Sequence, residues 1–308
     1  MDKVIVTGGA GFIGSHLTAE LASRGYRVLV LDNLATGAMS NISPLLKNPN
    51  VTFTQGSITD LPFIRLLFQG ARFVFHLAAL PSVPRSVKDP LATHEANATG
   101  TLNVLLAARD AGVKKVIFSA SSSVYGDTPT LPKREDMPPN PLSPYAVTKA
   151  AGEAYCQVFT RVYGLATVCL RYFNVYGPRQ NPDSEYAAVI PKFIKMVLEG
   201  KPPVIYGDGN QTRDFTFVKD AVAANILAAE SDAAGVYNIG GGKNITINRL
   251  VKLIIELSGK KINPVYQPPR AGDILHSLAD ISRAKSFGYT PKYSLEEGLQ
   301  QTLREFTR

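Results

Sequence analysis

The stretch Thr7-Gly8-Gly9-Ala10-Gly11-Phe12-Ile13-Gly14 constrains this chain more than any other. Its glycines at 8, 11 and 14 follow a β-branched run, Val4-Ile5-Val6, and open a segment with helical patterning from Phe12 to Ser23, closed by Gly25. In a strand-to-helix turn that holds a pyrophosphate each glycine has its own use. Gly8 permits the tight turn, Gly11 lets the backbone approach the phosphates, and Gly14 lets the helix pack close to the sheet. The helix N-terminus then aims its free N–H groups at the anion. Glycines alone also fit a plain turn. Asp32 strengthens the ligand reading because it ends the second strand. There a carboxylate accepts hydrogen bonds from the adenosine ribose hydroxyls of a dinucleotide and repels a 2′-phosphate. The expectation is NAD rather than NADP, unless nearby Arg27 or Lys3 offsets the charge.

Short β-branched runs and helical segments alternate through the first half. Strands are expected at 3–7, 27–31, 51–55, 72–76, 115–119 and 166–170, and helices at 12–23, about 96–111 and 144–163. This alternation predicts βαβ units, right-handed crossovers and a parallel α/β sheet over residues 1–171. Beyond about residue 171 the loops turn rich in Pro and Gly, as in Gly177-Pro178-Arg179-Gln180-Asn181-Pro182. Helices at 187–199, 219–230, 247–258 and 295–306 are separated by small strands. Residues 172–308 therefore read as a smaller C-terminal α/β domain, part of whose chain returns to the first.

At 308 residues, 45% hydrophobic and 19% charged, the chain has material for a sizeable core and is not disordered, collagen-like or coiled-coil. Lys and Arg exceed Asp and Glu by 33 to 25, a net charge of +8. The basic residues are scattered, with pairs such as Lys114-Lys115 as the densest clusters, so the charge reads as a solvated surface and no nucleic-acid partner is expected. No apolar run approaches the roughly 18 residues of a membrane helix, and the N-terminus lacks the features of a signal peptide. Cys156 and Cys169 lie in apolar periodic segments and are expected as buried thiols in a reducing cytoplasm. No Cys/His cluster has metal-ligand spacing, and no metal is expected.

Ser143-Pro144-Tyr145-Ala146-Val147-Thr148-Lys149 places Tyr145 and Lys149 at i and i+4, on one helix face. In a chain with 13 Tyr the spacing alone is weak. Its chemistry is sharper. A phenol beside an ammonium and a bound nicotinamide cation loses its proton more easily, and so can act as a base near neutral pH. Lys149 could also reach the nicotinamide ribose. Phe118-Ser119-Ala120-Ser121-Ser122-Ser123 ends a parallel strand, on the side where such folds bind ligands. Ser121 is a candidate donor to a substrate hydroxyl or carbonyl; such serines can also simply cap a strand and turn.

These motifs occur in order with His76-Leu77-Ala78-Ala79, Asn97, Ser121-x-x-Val124-Tyr125-Gly126 and Arg171-Tyr172-Phe173-Asn174. Together they resemble the extended short-chain dehydrogenase/reductase family over essentially the whole length, and within it the nucleotide-sugar epimerases of the UDP-glucose 4-epimerase type. Ser82-Val83-Pro84-Arg85-Ser86 and Ala187-Ala188-Val189-Ile190-Pro191 look like the branch acting on UDP-N-acetylhexosamines. The resemblance implies a Rossmann-type doubly wound parallel sheet with a smaller substrate domain.

By matched position, the resemblance assigns Gly8, Gly11, Phe12 and Ile13 to the NAD pyrophosphate, Asp32 and Asn33 to the ribose, and Ser57 and Ile58 to the adenine, although many relatives carry Asp where Ser57 stands. Leu77, Ala78 and Ala79 would line the cofactor cleft with Asn97 beside it. Ser119, Tyr145, Lys149 and Tyr172 would meet the rest of the cofactor. Asn174, Val189, Tyr206, Arg213 and Arg270 match positions that grip the uridine diphosphate, while Ser82, Ser121, Ser122 and Ser277 fall to the sugar side. Arg213 and Arg270 could instead form surface ion pairs with Asp214 or Asp273.

The implied activity is NAD-dependent 4-epimerisation of UDP-hexoses by a cytoplasmic homodimer, with helices near 96–111 and 143–163 as the dimer face. Tyr145, Lys149 and Ser121 would be the catalytic residues. A 4,6-dehydratase or a UDP-glucuronate decarboxylase is the nearest rival. Dehydratases of the family place an Asp-Glu pair directly after the position of Ser121, and decarboxylases commonly keep the Glu; here Ser122 and Ser123 stand there. A non-catalytic NAD-binding regulator typically lacks the Tyr or the Lys, and both are present.

Overall fold

The computed structural model describes residues 1–183, 188–269 and 274–307, and every structural statement below concerns these residues. In the first half, β1 (Lys3–Thr7), β2 (Arg27–Asp32), β3 (Val51–Gln55), β4 (Ala71–His76), β5 (Lys115–Ser121) and β6 (Ala166–Tyr172) run parallel. The later chain adds β7 (Val175–Tyr176), β8 (Val204–Tyr206), β9 (Thr212–Asp214), β10 (Thr216–Phe217), β11 (Gly235–Ile239), β12 (Asn244–Thr246) and β13 (Val265–Gln267). Of these, β11 joins the main sheet against β6, giving the order β11-β6-β5-β4-β1-β2-β3, and the others form three two-stranded ladders. This is the doubly wound Rossmann topology, in which the connections reverse direction between β1 and β4 and open a crevice beyond their C-terminal ends.

The helices are α1 (Phe12–Ser23), α2 (Met39–Ile42), α3 (Leu61–Phe68), α4 (Val83–Lys88), α5 (Pro90–His94), α6 (Gly100–Asp110), α7 (Pro144–Tyr163), α8 (Val189–Leu198), α9 (Val218–Glu230), α10 (Ile247–Ser258) and α11 (Leu295–Phe306). One sheet face is covered by α1 and α9, where Val4, Val6, Leu17, Leu21, Ile226 and Tyr237 share a buried cluster. The other is covered by α3, α6 and α7 around Ile5, Ile64, Phe68, Leu105 and Phe159. A third cluster, including Ile194, Phe217, Leu250 and Leu299, holds the small ladders and their helices together.

Where the structure departs from the sequence expectation, caps explain the difference. The sequence reading has no helix between β3 and β4, yet Asp60 caps α3 by accepting from Phe63 N, with a proline in the first turn. Asp89 does the same for α5, so the helical path expected from residue 96 already begins at Pro90. It is also not uniform, because Glu95–Thr99 winds as a π turn before α6 resumes. The long α7 follows its sequence signals. Ser143 Oγ accepts from Ala146 N, Pro144 opens the first turn, and Gly164 closes the helix at φ +70°. Cys156 and Cys169 are buried and free.

Candidate active site

The glycine turn is shaped by what cannot fit there. Gly8 has φ +71°, and a Cβ on it would lie 2.7 Å from the Ala78 nitrogen. A Cβ on Gly14 would lie 2.2 Å from the Gly8 carbonyl oxygen, so α1 seats against β1 only with glycine at that position. Gly11 is the N-cap of α1 and offers no side-chain cap, which leaves the N–H groups of the first turn to an outside acceptor. Asp32 closes the same turn: its Oδ2 accepts from Ala10 N at 3.0 Å and its Oδ1 from Leu34 N at 2.8 Å. Burial pushes this carboxyl above its ordinary value, while the two N–H bonds pull it back down.

The far wall descends from β4. His76 is 1% exposed and bridges Thr7 Oγ1 at 2.8 Å and Thr101 Oγ1 at 3.0 Å. Burial first and the Lys149 charge second pull its pKa down to about 3, so the ring is neutral in the folded protein. Beyond it Leu77, Ala78, Ala79 and Leu80 run along the crevice. Asn97 does not reach the crevice wall. It sits in the π turn, accepts from Leu80 N at 2.7 Å, and donates to Leu80 O at 3.1 Å and to Thr148 Oγ1 at 3.1 Å. It thus pins the wall loop to α7, one residue from Lys149.

Tyr145 and Lys149 project from the first turns of α7 into this crevice. Lys149 is 4% exposed; its Nζ donates to Ser119 O at 2.7 Å and lies 5.9 Å from the Tyr145 ring centroid. Burial lowers its pKa to about 8 against the opposing pull of Glu153, so it stays mostly charged at neutral pH. Burial holds the Tyr145 hydroxyl above its ordinary value, and a hydrogen bond with the Ser121 hydroxyl works the other way. Among protein groups alone the phenol is therefore a weak acid. Its deprotonation needs a further positive charge beside it. Ser121 also caps the turn Ser122–Tyr125, accepting from Ser123 N at 3.2 Å, and Ser122 is the first residue of that turn. Tyr172 ends β6, where its hydroxyl accepts from Ser119 Oγ at 3.2 Å and Asn225 Nδ2 at 2.6 Å; burial pushes its pKa up to about 12.

These groups enclose a crevice of about 270 Å³, open at the C-terminal ends of the strands. Gly8, Gly11, Phe12, Ile13, Asp32, Asn33, Ser57 and Ile58 line one end, and Ser119, Tyr145, Lys149 and Tyr172 the other. The sequence reading does not single out Ala35, Thr36, Pro81 or Ala96, which also line it and carry no motif of their own.

The remaining candidates lie outside this crevice. Ser82 caps α4 at φ +96° and accepts from Arg85 N. Val189 opens α8, half-buried. Asn174, at φ +32°, donates through Nδ2 to Asp214 O at 3.0 Å. Arg213 Nη1 donates to Thr212 O at 2.9 Å and to Leu275 O at 3.2 Å. Ser277 N donates to Thr212 O at 3.1 Å, and Gln211 Nε2 reaches Tyr206 O at 2.8 Å. The fold thus gathers Asn174, Tyr206, Arg213 and Ser277 around β9. Arg270 and Asp273 lie outside the described residues. A surface ion pair with Asp214 is excluded, because Asp214 is 0% exposed and its carboxylate faces backbone N–H groups. Burial pushes this carboxyl up to about 6, against three N–H bonds that lower it.

Among the described residues no group of three His, Cys, Asp or Glu could hold a metal, and no helix is long and apolar enough to cross a membrane. Residues 4–240 match the NAD dependent epimerase/dehydratase family. A putative UDP-glucose 4-epimerase of Methanocaldococcus jannaschii is 40% identical over 302 residues, 97% of this chain and 97% of that one. A UDP-glucuronate 4-epimerase of Thermodesulfobacterium geofontis is 38% identical, over 98% of this chain and 95% of that one. The solved UDP-N-acetylglucosamine 4-epimerase of Methanobrevibacter ruminantium M1, in complex with UDP-N-acetylmuramic acid, superimposes with a TM-score of 0.96 at 46% identity, covering 99% of this chain and 98% of that one.

Proposed function

The chain belongs to the NAD-dependent epimerase/dehydratase family, and from that premise we propose that it is a UDP-hexose 4-epimerase that interconverts UDP-glucose and UDP-galactose and accepts the N-acetylated pair as well. The observation that carries this reading is Tyr145 and Lys149 meeting Ser119 and Ser121 at one end of a crevice whose other end is the glycine turn and Asp32. NAD is the cofactor. The crevice fits it: the bare glycine backbone and uncapped N-terminus of α1 suit a pyrophosphate, and the Asp32 carboxylate suits ribose hydroxyls.

NAD, when bound, supplies the acceptor and later the donor of the hydride at C4 of the sugar. Tyr145 Oη takes the proton of the C4 hydroxyl and later returns it. Lys149, charged at neutral pH and fixed to Ser119 O, supplies positive field that favours the Tyr145 phenolate. Ser121 hydrogen-bonds Tyr145, and its hydroxyl is the donor we assign to the C4 oxygen. Leu77, Ala78 and Ala79 exclude water along the wall. On the opposite side Asn174, Tyr206 and Arg213 hold the uridine diphosphate while the sugar turns about it, Arg270 being assigned to the same diphosphate by resemblance alone, and the chain from 172 onward supplies most of that side. Dehydration or decarboxylation is disfavoured because Ser122 and Ser123, in the turn after Ser121, bring no carboxylate.

The same reading makes the protein a cytoplasmic homodimer. Among its exposed apolar side chains are Val83 and Val87 on α4, Leu91 on α5, and Val147, Tyr155, Val158 and Val162 on α7. On this reading the helices near 96–111 and 143–163 form the dimer face, and the exposed apolar residues of α7 and the half-buried Leu102 and Leu106 of α6 support it. Turnover of UDP-glucose and UDP-N-acetylglucosamine, measured side by side without added NAD, tests the proposal. Activity on both is expected, and activity on neither overturns it.

A further inference from the structure

Arg213 and Ser277 come from segments far apart in sequence, yet both are tied to the chain within two residues of Asp214. Asp214 ends β9, directly after Arg213. Ser277 N donates to Thr212 O on one side, and two residues on, Ala279 N donates to Asp214 Oδ2 at 3.0 Å. The Asp214 carbonyl accepts the Asn174 side chain. The carboxylate itself is fully buried, and among the described residues no lysine or arginine forms an ion pair with it. Backbone N–H groups take the place of a cation: Gly241 N at 2.6 Å to Oδ1, Gly242 N at 3.1 Å and Ala279 N at 3.0 Å to Oδ2. The chain after β11 is bare enough to wrap the charge. A Cβ on Gly240 would lie 2.9 Å from Oδ2 and 2.6 Å from the Ala279 Cβ, and one on Gly241 would lie 2.9 Å from Phe215 O.

A buried charge held only by main-chain donors is costly unless all of its donors stay in place. It therefore fixes the segments that supply those donors relative to one another. We propose that Asp214 is the positioning residue of the sugar-nucleotide side: its carboxylate locks the strand carrying Arg213 to the segment carrying Ser277. The inference rests on the assignment of those two residues to the sugar nucleotide. Binding of the nucleoside diphosphate, rather than cofactor retention or the rate of the chemical step, then depends on both Asp214 oxygens being acceptors.

Asp214→Asn tests this with no change in size. However the amide turns, its NH2 group meets a backbone N–H. The expected result is a rise of about tenfold or more in KM for UDP-glucose and in the Kd of UDP, with kcat within about threefold and NAD content unchanged. Unchanged KM and Kd overturn the inference, as does a loss of NAD accompanied by a proportional fall in kcat. If the variant fails to fold, hydrogen exchange on the wild-type holoenzyme decides. UDP should slow exchange at Gly241, Gly242 and Ala279, and no UDP-dependent change there overturns the inference. A wild-type protein that neither binds UDP nor turns over UDP-glucose overturns the functional reading itself; a competent wild type with an indifferent Asp214→Asn overturns only the role of Asp214.

Discussion

The cofactor side of the crevice takes its groups from adjacent parallel strands and from the turn or helix directly after each one. Gly8 and Gly14 follow β1, Asp32 ends β2, Leu77 follows β4, and Tyr145 and Lys149 share one face of α7. The pairing of the parallel strands brings those groups to one edge of the sheet. The opposite side has no such scaffold. Asn174 and Asp214 are 40 residues apart, and Asp214 and Ala279 are 65 apart, with hydrogen bonds between short ladder strands doing the placing. The cofactor side thus hangs on neighbouring strands of one parallel sheet, and the opposite side on short ladders joined by long-range hydrogen bonds.

The largest expected effect is at the tightest turn of the cofactor side. Gly14→Ala puts a Cβ 2.2 Å from the Gly8 carbonyl, where both neighbours are backbone and cannot yield cheaply. The purified variant should carry no NAD after dialysis and show no turnover; a variant that keeps NAD at wild-type occupancy breaks the comparison. Tyr145→Phe is the next largest effect. The ring keeps its place and the acceptor oxygen is gone, so kcat should fall by about 10²–10⁴ while UDP still binds. A near-normal rate would remove Tyr145 as the base.

Much of the cofactor side was legible in the sequence because its signals are local. Glycine spacing, a carboxylate at a strand end and an i,i+4 pair are local signals that fix geometry within a few residues. Legibility failed where elements are short. α3, α4 and α5 span eight, six and five residues, too few for a helical period to declare itself, and each is started by an Asp or Ser cap with a proline. Asn97 lies on a helical path as expected, but its side chain is spent holding Leu80 and Thr148. On the sugar side the residues came from resemblance rather than from spacing, and no local pattern marks Asp214 as the point where three segments meet.

Ser277→Tyr sharpens the contrast at the sugar side. Bulk at this position should remove activity on UDP-N-acetylglucosamine and spare UDP-glucose, because a packed pocket does not yield to several extra heavy atoms. Equal loss on both sugars would mean general damage to the segment and would count against Ser277 as a gate.

The smallest effect is one of pH. Burial pulls His76 from 6.5 to about 3, so the unfolded chain takes up a proton below 6.5 while the folded one does not. The stability held above pH 6.5 is therefore lost progressively as pH falls toward 3. Between pH 6.5 and 5 this amounts to about 1.5 kcal/mol. Urea unfolding at the two pH values should show a decline that is shallower in His76→Gln by about that amount; parallel declines would contradict the assignment.

The central claim is that a hydride leaves C4 for the bound NAD and returns to the opposite face of the same sugar. Incubation with UDP-glucose carrying deuterium at C4, followed by NMR without added NAD, tests it directly. The account predicts UDP-galactose that retains the deuterium at C4. Loss of the label to solvent, or a product altered at C5 or C6 in place of the C4 epimer, would contradict it.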